Sequence, residues 1–396
     1  MSKIMAINAG SSSLKFQLLE MPEEKVITSG LVERIGLKNS VFMIKVNGEK
    51  IEEIVAIQNH NVAVKMLLDK LISLGILRSF AEIEGVGHRI LHGASMLTDS
   101  CIITEKEIAI IESIVDLGPL HLIPNLTGIK AFKEILPNVK QVGVFDTAFH
   151  QTMPEEAFLY ATPFDWYERF QVRKYGFHGT SHKYVSEMTA KLMGKKPEDI
   201  NVIVCHLGNG SSICAVKQGK SVDTSMGFTP LEGIPMGTRS GNIDPAVIEY
   251  MMEKKQKSAK EIINILNKQS GYLGVSGISF DSRDLVREAA NGNHRAELAI
   301  QIQAKRIADY IASYYVYMGG ADAITFTAGI GENAPSTRAN VINRISVLGV
   351  KLDPEKNECR GTTAEISTPD SKIKVYVIPT NEEVMIARDT MRLCHQ

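Results

Sequence analysis

The chain is short of several things at once, and each shortage narrows what it can be. Its five cysteines (Cys101, Cys205, Cys214, Cys359 and Cys394) are odd in number, widely scattered and never spaced C-x-x-C. That usage argues against a disulfide framework or a thiolate zinc site and fits reduced thiols in the cytoplasm. Charge of one sign is missing too: 44 Lys and Arg meet 45 Asp and Glu, leaving a formal net charge of -1. A polybasic nucleic-acid binder is thereby excluded. No apolar run approaches the roughly 18–20 residues of a membrane span. The N-terminal MSKIMAINAGSS turns polar too soon for a signal-peptide core. No H-E-x-x-H is present, and Gly219-Lys220-Ser221 fails as a P-loop tail because Cys214 stands where G-x-x-x-x-G-K-S needs glycine. What is present is ordinary for a globular protein, 44% apolar and 22% charged residues. At about 100–200 residues per domain, the length suggests two.

Low-complexity tracts are absent, so organisation must come from pattern. Residues 3–19, KIMAINAGSSSLKFQLL, read as strand, Gly/Ser turn and strand. Residues 201–216, NVIVCHLGNGSSICAV, repeat that hairpin plan in the second half of the chain, which points to duplication of a whole domain. After each hairpin, strands alternate with helices. The first half predicts helices at 60–74, 104–116 and 124–136 with strands at 84–91 and 140–146. The second predicts helices at 294–318 and near 335–346 with strands at 323–328 and 373–379. A last helix at 382–394 belongs to neither half by pattern alone. The expected architecture is α/β, with mixed sheets covered by helices and a ligand cleft between two similar halves.

Candidate chemistry gathers at the turns and strand ends. GNGSS (208–212) and NAGSSSLK (8–15) are polar Gly/Ser turns whose backbone N–H groups can converge on an anion; the plain reading of each is a tight hairpin. Gly329-Ile330-Gly331-Glu332-Asn333-Ala334, with Asp353 about 20 residues on, matches a dinucleotide fingerprint locally but lies too near the C-terminus to open such a domain. His88/His92 and His178/His182 are i, i+4 pairs that could bind zinc on a helix, yet their neighbours place the first pair at a strand end and the second in a loop. The run 223–245 is long and rich in Gly, Pro and Thr, which suits a functional loop. Arg239 within it, and Arg89 in GHRILHG, could grip an anion through the planar guanidinium. Asp146 and Glu382/Glu383 end strands where ligands sit in open α/β sheets, and Asn381 reads equally as a helix cap. Oxygen ligands of this kind select Mg²⁺.

Taken together, NAGSSSLKF, HLGNGSS, MGFTPLEGIPMGTRSGNIDP and TAGIGEN closely resemble the acetate kinase family over essentially the whole chain. The resemblance implies two ribonuclease-H-like domains of the actin-like ATPase superfamily with an ATP cleft between them. The expected domains are 1–148 and 149–382, with the helix 383–396 packing back on the first. It implies Asn8 and Glu382 at Mg²⁺ (Mn²⁺ as a substitute), Arg89 and His121 at the carboxylate substrate, and Asp146, His178 and Arg239 as catalytic residues. Lys15, His206, Leu207, Gly208, Asn209, Gly210, Asp281, Ser282, Arg283, Gly329, Ile330, Gly331, Glu332 and Asn333 would line the ATP site. Leu91, Leu120, Phe177 and Pro230 would form the acyl pocket. H-R-I-L-H-G-A stands where the family commonly has H-R-V-V-H-G-G, so Leu91 replaces a usual valine.

The implied reaction is ATP + acetate ⇌ ADP + acetyl phosphate by direct in-line transfer, linking acetyl phosphate and acetyl-CoA metabolism to ATP. The family also implies a cytoplasmic homodimer without nucleic-acid or membrane partners. Acetate is already ionised at pH 7, so Asp146 is read as orienting an arginine or a metal-bound water, not as removing a proton. Two rivals are a propionate or butyrate kinase of the same family, and an Hsp70- or actin-like ATPase. The latter would need a further substrate-binding or filament module.

Overall fold

The computed structural model describes all 396 residues, Met1–Gln396. The chain divides into two compact units, one of Met1–Ala148 with Asn381–Gln396 and one of Phe149–Thr380.

The first unit carries an eight-stranded sheet built from β1 (Ser2–Ala9), β2 (Ser13–Met21), β3 (Lys25–Glu33), β4 (Ser40–Val46), β5 (Glu49–Val55), β6 (Ile83–Ile90), β7 (Cys101–Ile102) and β8 (Lys140–Phe145). Their order is β5-β4-β3-β2-β1-β6-β8-β7. β1 to β5 form an antiparallel meander, β6 and β8 run parallel to β1, and β7 closes the edge antiparallel. Ile4 to Ile7 of β1 are all buried, so both faces of the central strand are covered. Leu67 and Leu71 of helix His60–Ser73 and Phe132 of helix Pro119–Ile135 pack with Met5, Ile7 and Phe16 on one face. Each such side chain contributes about 1.5–3 kcal/mol through burial. The C-terminal helix Glu382–Cys394 lies on the other face. Gly85 and Gly87 of β6 make room for it, because a Cβ on Gly87 would sit 2.2 Å from Thr390 Oγ1 and one on Gly85 2.6 Å from Cys394 Sγ.

The second unit carries β9 (Asn201–Leu207), β10 (Ser211–Lys217), β11 (Lys220–Thr224), β12 (Ala323–Thr327), β13 (Ala364–Glu365) and β14 (Lys374–Val377). The order is β11-β10-β9-β12-β14-β13. β9 to β11 are antiparallel, β12 and β14 run parallel to β9, and β13 is an antiparallel edge. This is the plan of the first unit without β4 and β5, so the duplication expected from the hairpins is present in strand order and direction. Ile307 and Ile311 of helix His294–Met318 cover one face, and Val185 and Ala190 of helix Gly179–Leu192 the other.

Several expectations need correction. The helix expected at 124–136 begins at Pro119: proline at the first helical position loses no bond, and Pro124 is carried inside the helix. His178 and His182 do not share a loop, for His178 precedes the helix in a left-handed conformation (φ 58°) and His182 lies within it. The dinucleotide fingerprint, rejected on its position in the chain, does follow a strand, β12, that runs parallel to β14, but Asp353 is engaged in a local turn, where it accepts bonds from Glu355 N and Lys356 N. Four further helices, between Ala246 and Ala290, follow the run 223–245. Ser225–Pro245 itself holds no helix or strand. It is ordered by a Tyr160–Glu232 hydrogen bond and by Gly233 N donating to Asn242 Oδ1 at 2.7 Å.

Candidate functional site

In the first unit the candidate residues collect where β1, β6 and β8 end. Arg89 is on β6, Asp146 directly follows β8, and Glu382 opens the C-terminal helix that Asn381 caps through Val384 N at 3.1 Å. Arg89 Nε donates to Asp146 Oδ1 at 2.9 Å and Nη2 to Oδ2 at 2.8 Å, while Nη1 lies 3.0 Å from Glu382 Oε2. The Asp146 side chain is 2% exposed and that of Arg89 24%. Burial disfavours the Arg89 cation, but Asp146 and then Glu382 outweigh it and hold the guanidinium more firmly charged than a free arginine. Burial pushes the Asp146 carboxyl above the usual carboxylate range, with Arg89 pulling it back. Both Asp146 oxygens accept from the fork, so the ionised carboxylate is the form this geometry holds.

Around this cluster, Asn8 stands opposite Lys15 in the β1–β2 register, and Lys15 pairs with Glu383. His121, near the start of its helix, is close enough to favour the ionised form of Asp146. Leu120 is exposed, whereas Leu91 Cδ2 packs 2.8 Å from where a Cβ on Gly118 would lie. Asn125 was not anticipated. Its Oδ1 accepts from Leu91 N at 3.1 Å and its Nδ2 donates to Ala9 O at 3.0 Å, tying the strand end that carries Arg89 to the first turn. The available signal was a lone polar side chain on the apolar face of a helix.

The second unit holds a cavity of about 620 Å³ lined by Gly208, Asn209, Asp281, Ser282, Arg283, Gly329, Ile330 and Asn333, all expected at the ATP site, together with Phe280, Ala334 and Arg360, which were not. Phe280 is a half-exposed aromatic beside the charged Asp281–Arg283 turn, a juxtaposition visible in the sequence. Lys15 belongs to the first unit. His206 and Leu207 are buried on β9, the Gly331 carbonyl accepts from Arg338 Nη1 at 2.8 Å, and Glu332 Oε1 accepts from Thr380 N at 3.1 Å. These last residues do not line the cavity.

The glycine turn continues from the cavity to the expected catalytic residues. Gly208 N donates to Ser211 Oγ at 3.2 Å. A Cβ on Gly210 would sit 3.4 Å from His178 Nε2 and 3.5 Å from Arg239 Nη1. Arg239 Nη1 reaches only Pro230 O at 3.4 Å and Met236 Sδ at 3.6 Å, and burial pulls its pKa down. A half-buried arginine with no carboxylate partner is poised for an anionic ligand. His178 stacks on His206 with centroids 4.1 Å apart, and its Nδ1 lies 2.9 Å from Ser212 Oγ. His206 Nδ1 lies 2.8 Å from Ser181 Oγ. Phe177 is buried, its carbonyl accepting from His150 Nε2 at 2.9 Å. No group of three His, Cys, Asp or Glu side chains converges as a metal cage. His88 turns instead to Gln141 Oε1 at 2.7 Å.

Comparison with known proteins agrees along the whole chain. The model of the Acetokinase family matches residues 3–388. The acetate kinase of Geobacillus sp. (strain WCH70) is 61% identical over 395 residues, covering 100% of both chains. The crystal structure of Porphyromonas gingivalis acetate kinase superposes with a TM-score of 0.95 at 44% identity, covering 99% of this chain and 100% of its own. A propionate kinase from Francisella tularensis subsp. tularensis SCHU S4 gives 0.93 at 43% identity, with the same coverage.

Proposed function

This chain belongs to the acetokinase family, and on that footing we propose that it transfers the γ-phosphoryl group of ATP to acetate, reversibly, giving ADP and acetyl phosphate. The observation that carries the reading is the glycine turn Gly208–Gly210: two of its residues line the cavity expected to take ATP, and the third faces His178 Nε2 and Arg239 Nη1. Phosphoryl transfer needs alignment and neutral charge balance at the equatorial oxygens more than covalent help. His178 and Arg239 supply donors at that point. Arg89, held flat by Asp146, receives the acetate carboxylate, which needs no general base because it is already ionised. Asp146 therefore orients Arg89 and moves no proton. Leu91, Leu120, Phe177 and Pro230 contribute the surface for the methyl group.

Asn8, Asp146 and Glu382 offer only oxygen donors, which suit a hard divalent cation that keeps most of its waters. Mg²⁺, or Mn²⁺ in its place, would be held by Asn8 and Glu382 and would supply neutralising charge for the β- and γ-phosphates. The same reading includes a cytoplasmic homodimer with neither nucleic-acid nor membrane partners; no helix of the chain is long and apolar enough to cross a membrane.

The test is hydroxamate formation from ATP, Mg²⁺ and hydroxylamine with acetate, propionate or butyrate, with a chelator arm for the metal. Acetate is expected to react fastest, and only with the metal present. Faster turnover of propionate or butyrate would move the reading to its alternative, and no product from any of the acids would reject it.

A further inference from the structure

Behind His178 lies a buried polar chain that the proposed chemistry does not use. Ser212 Oγ, on β10, is 2.9 Å from His178 Nδ1 and 2.7 Å from His182 Nε2. His182 and Ser212 are fully buried. His182 Nδ1 meets no hydrogen-bond partner. A serine hydroxyl has a single proton, so it can donate to only one of the two rings and must accept from the other if both bonds are made.

The direction of this chain follows from the orphaned nitrogen. Burial holds His182 well below the ordinary histidine range, and the neighbouring His150 and His206 add to that, so the ring is neutral and carries one proton. Were that proton on Nδ1, a buried N–H would have no acceptor; on Nε2, it meets Ser212 and leaves only a lone pair unmatched. Orphaned buried N–H groups are the rarer and costlier of the two. His182 Nε2–H therefore donates to Ser212 Oγ, and the serine proton goes to His178 Nδ1. His178 is left as an acceptor at Nδ1, with its own proton on Nε2. That nitrogen lies 3.4 Å from the Cβ position of Gly210, on the phosphate-facing turn. Adding a second proton at His178 Nδ1 would leave the Ser212 hydroxyl hydrogen without an acceptor, so the chain also favours neutral His178.

We propose that His182 and Ser212 are positioning residues that fix His178 as its Nε2–H tautomer, so that a neutral imidazole presents a donor to the phosphoryl oxygens. The inference rests on the kinase reading for what His178 does, and on the hydrogen-bond chain together with the burial of His182 for which nitrogen carries the proton.

The direct test needs no variant. Heteronuclear NMR of the whole protein labelled with ¹⁵N-histidine distinguishes protonated from bare ring nitrogens. Both His178 and His182 are expected to carry hydrogen on Nε2, and finding it on Nδ1 of either ring would overturn the proposal. Ser212→Ala, checked for folding by circular dichroism, is expected to lower kcat at least ~10-fold, as loss of an outer partner commonly does. KM for ATP and acetate should change little, and the His178 spectrum should show a mixture of tautomers. His182→Gln keeps an amide donor near the Nε2 position and should retain more kcat than His182→Leu; equal losses, with a single His178 tautomer in both, would refute the relay. The two readings fail separately. A wild type without acetate-dependent turnover rejects the kinase reading whatever the spectra show, and an active wild type with His178 protonated at Nδ1 rejects the relay alone.

Discussion

Replacing Asp146 with asparagine separates two roles that a carboxylate beside an arginine proposed to bind the substrate could have. Asparagine keeps the shape but turns one acceptor into an NH₂ group facing the Arg89 fork, so of the two bonds of 2.8 and 2.9 Å one is lost and the other no longer meets an anionic oxygen. Such bonds contribute roughly 1.5–3 kcal/mol each when buried. Glu382 and water at the partly exposed guanidinium recover part of this, which leaves a net loss of about 2–4 kcal/mol in holding Arg89 in place. At 1.36 kcal/mol per tenfold, kcat/KM for acetate should fall by roughly 30- to 1,000-fold, while KM for ATP stays nearly unchanged. The decisive assay is a double-mutant cycle with Arg89→Ala, read by hydroxamate formation over a range of acetate concentrations. If Asp146 acts through Arg89, then adding Asp146→Asn to Arg89→Ala costs little further activity. Losses that multiply across the two sites would refute the orienting role and give Asp146 an independent part in the chemistry.

Other expectations follow from the same geometry. Arg239→Ala should depress kcat by about 10³-fold or more, with Lys rescuing only in part because it lacks the planar fork; normal kcat with a raised KM for acetate would make Arg239 a ground-state binder. Leu91→Ala should raise kcat/KM for propionate relative to acetate by roughly 10-fold, the scale of one methylene in a pocket, and an unchanged ratio would mean that the Leu91 contact with Gly118 already turns the side chain out of the way. Burial pulls His88, His92 and His150 down to about 4, so between 6.5 and that value the unfolded chain binds protons that the folded one does not. Their stabilisation is complete above the ordinary histidine range and is lost as pH falls, by roughly 1–2 kcal/mol each at pH 5; urea unfolding equally stable at pH 5 and 7.5 would contradict it. Acetate binding measured by calorimetry without nucleotide should strengthen when Mg²⁺ is added, and Glu382→Gln should strengthen it in the absence of metal; no change in either would remove Glu382 from control of the carboxylate site.

The two hairpins were legible because each is a local pattern, apolar runs around a Gly/Ser turn, and the repeat follows from comparing one with the other. Strands β3 to β5 were not. β5, EKIEEIV, is mostly exposed and carries four charges in seven residues, so it has no apolar alternation to read. The helix at Pro119 was hidden by a second proline at 124, whose usual meaning is a helix boundary. At the site, residues whose side chains are chemically suggestive stood out individually: Arg89, Asp146, His178, Arg239. Their connections did not. Arg89, Asp146 and Glu382 come from a strand, a strand end and a helix start spread over 293 positions (382 − 89), and only tertiary packing brings them together. Asn125 was missed for the same reason, and Ser212 stood out only as part of the GNGSS turn: each acquires its role from the two groups it bridges.

The two arginines differ in how many of their donors are already taken. A guanidinium has five N–H donors. On Arg89, Asp146 occupies two and Glu382 a third, so one N–H remains on each terminal nitrogen, enough for a single carboxylate. Arg239 meets no carboxylate, and only its Nη1 is engaged, by Pro230 O and Met236 Sδ. The charges differ in the same sense. Arg89, Asp146 and Glu382 together sum to −1, so this cluster orients an acetate ion without attracting it. Arg239 is an uncompensated cation, and burial strengthens its pull on any anion that reaches it. On the proposed reading, Arg89 with its two remaining donors would fix the direction of the acetate, and Arg239 would answer charge on the phosphoryl group. The excess of one negative charge around Arg89 is also what a divalent cation beside Glu382 would relieve, which is why acetate affinity and metal should be linked.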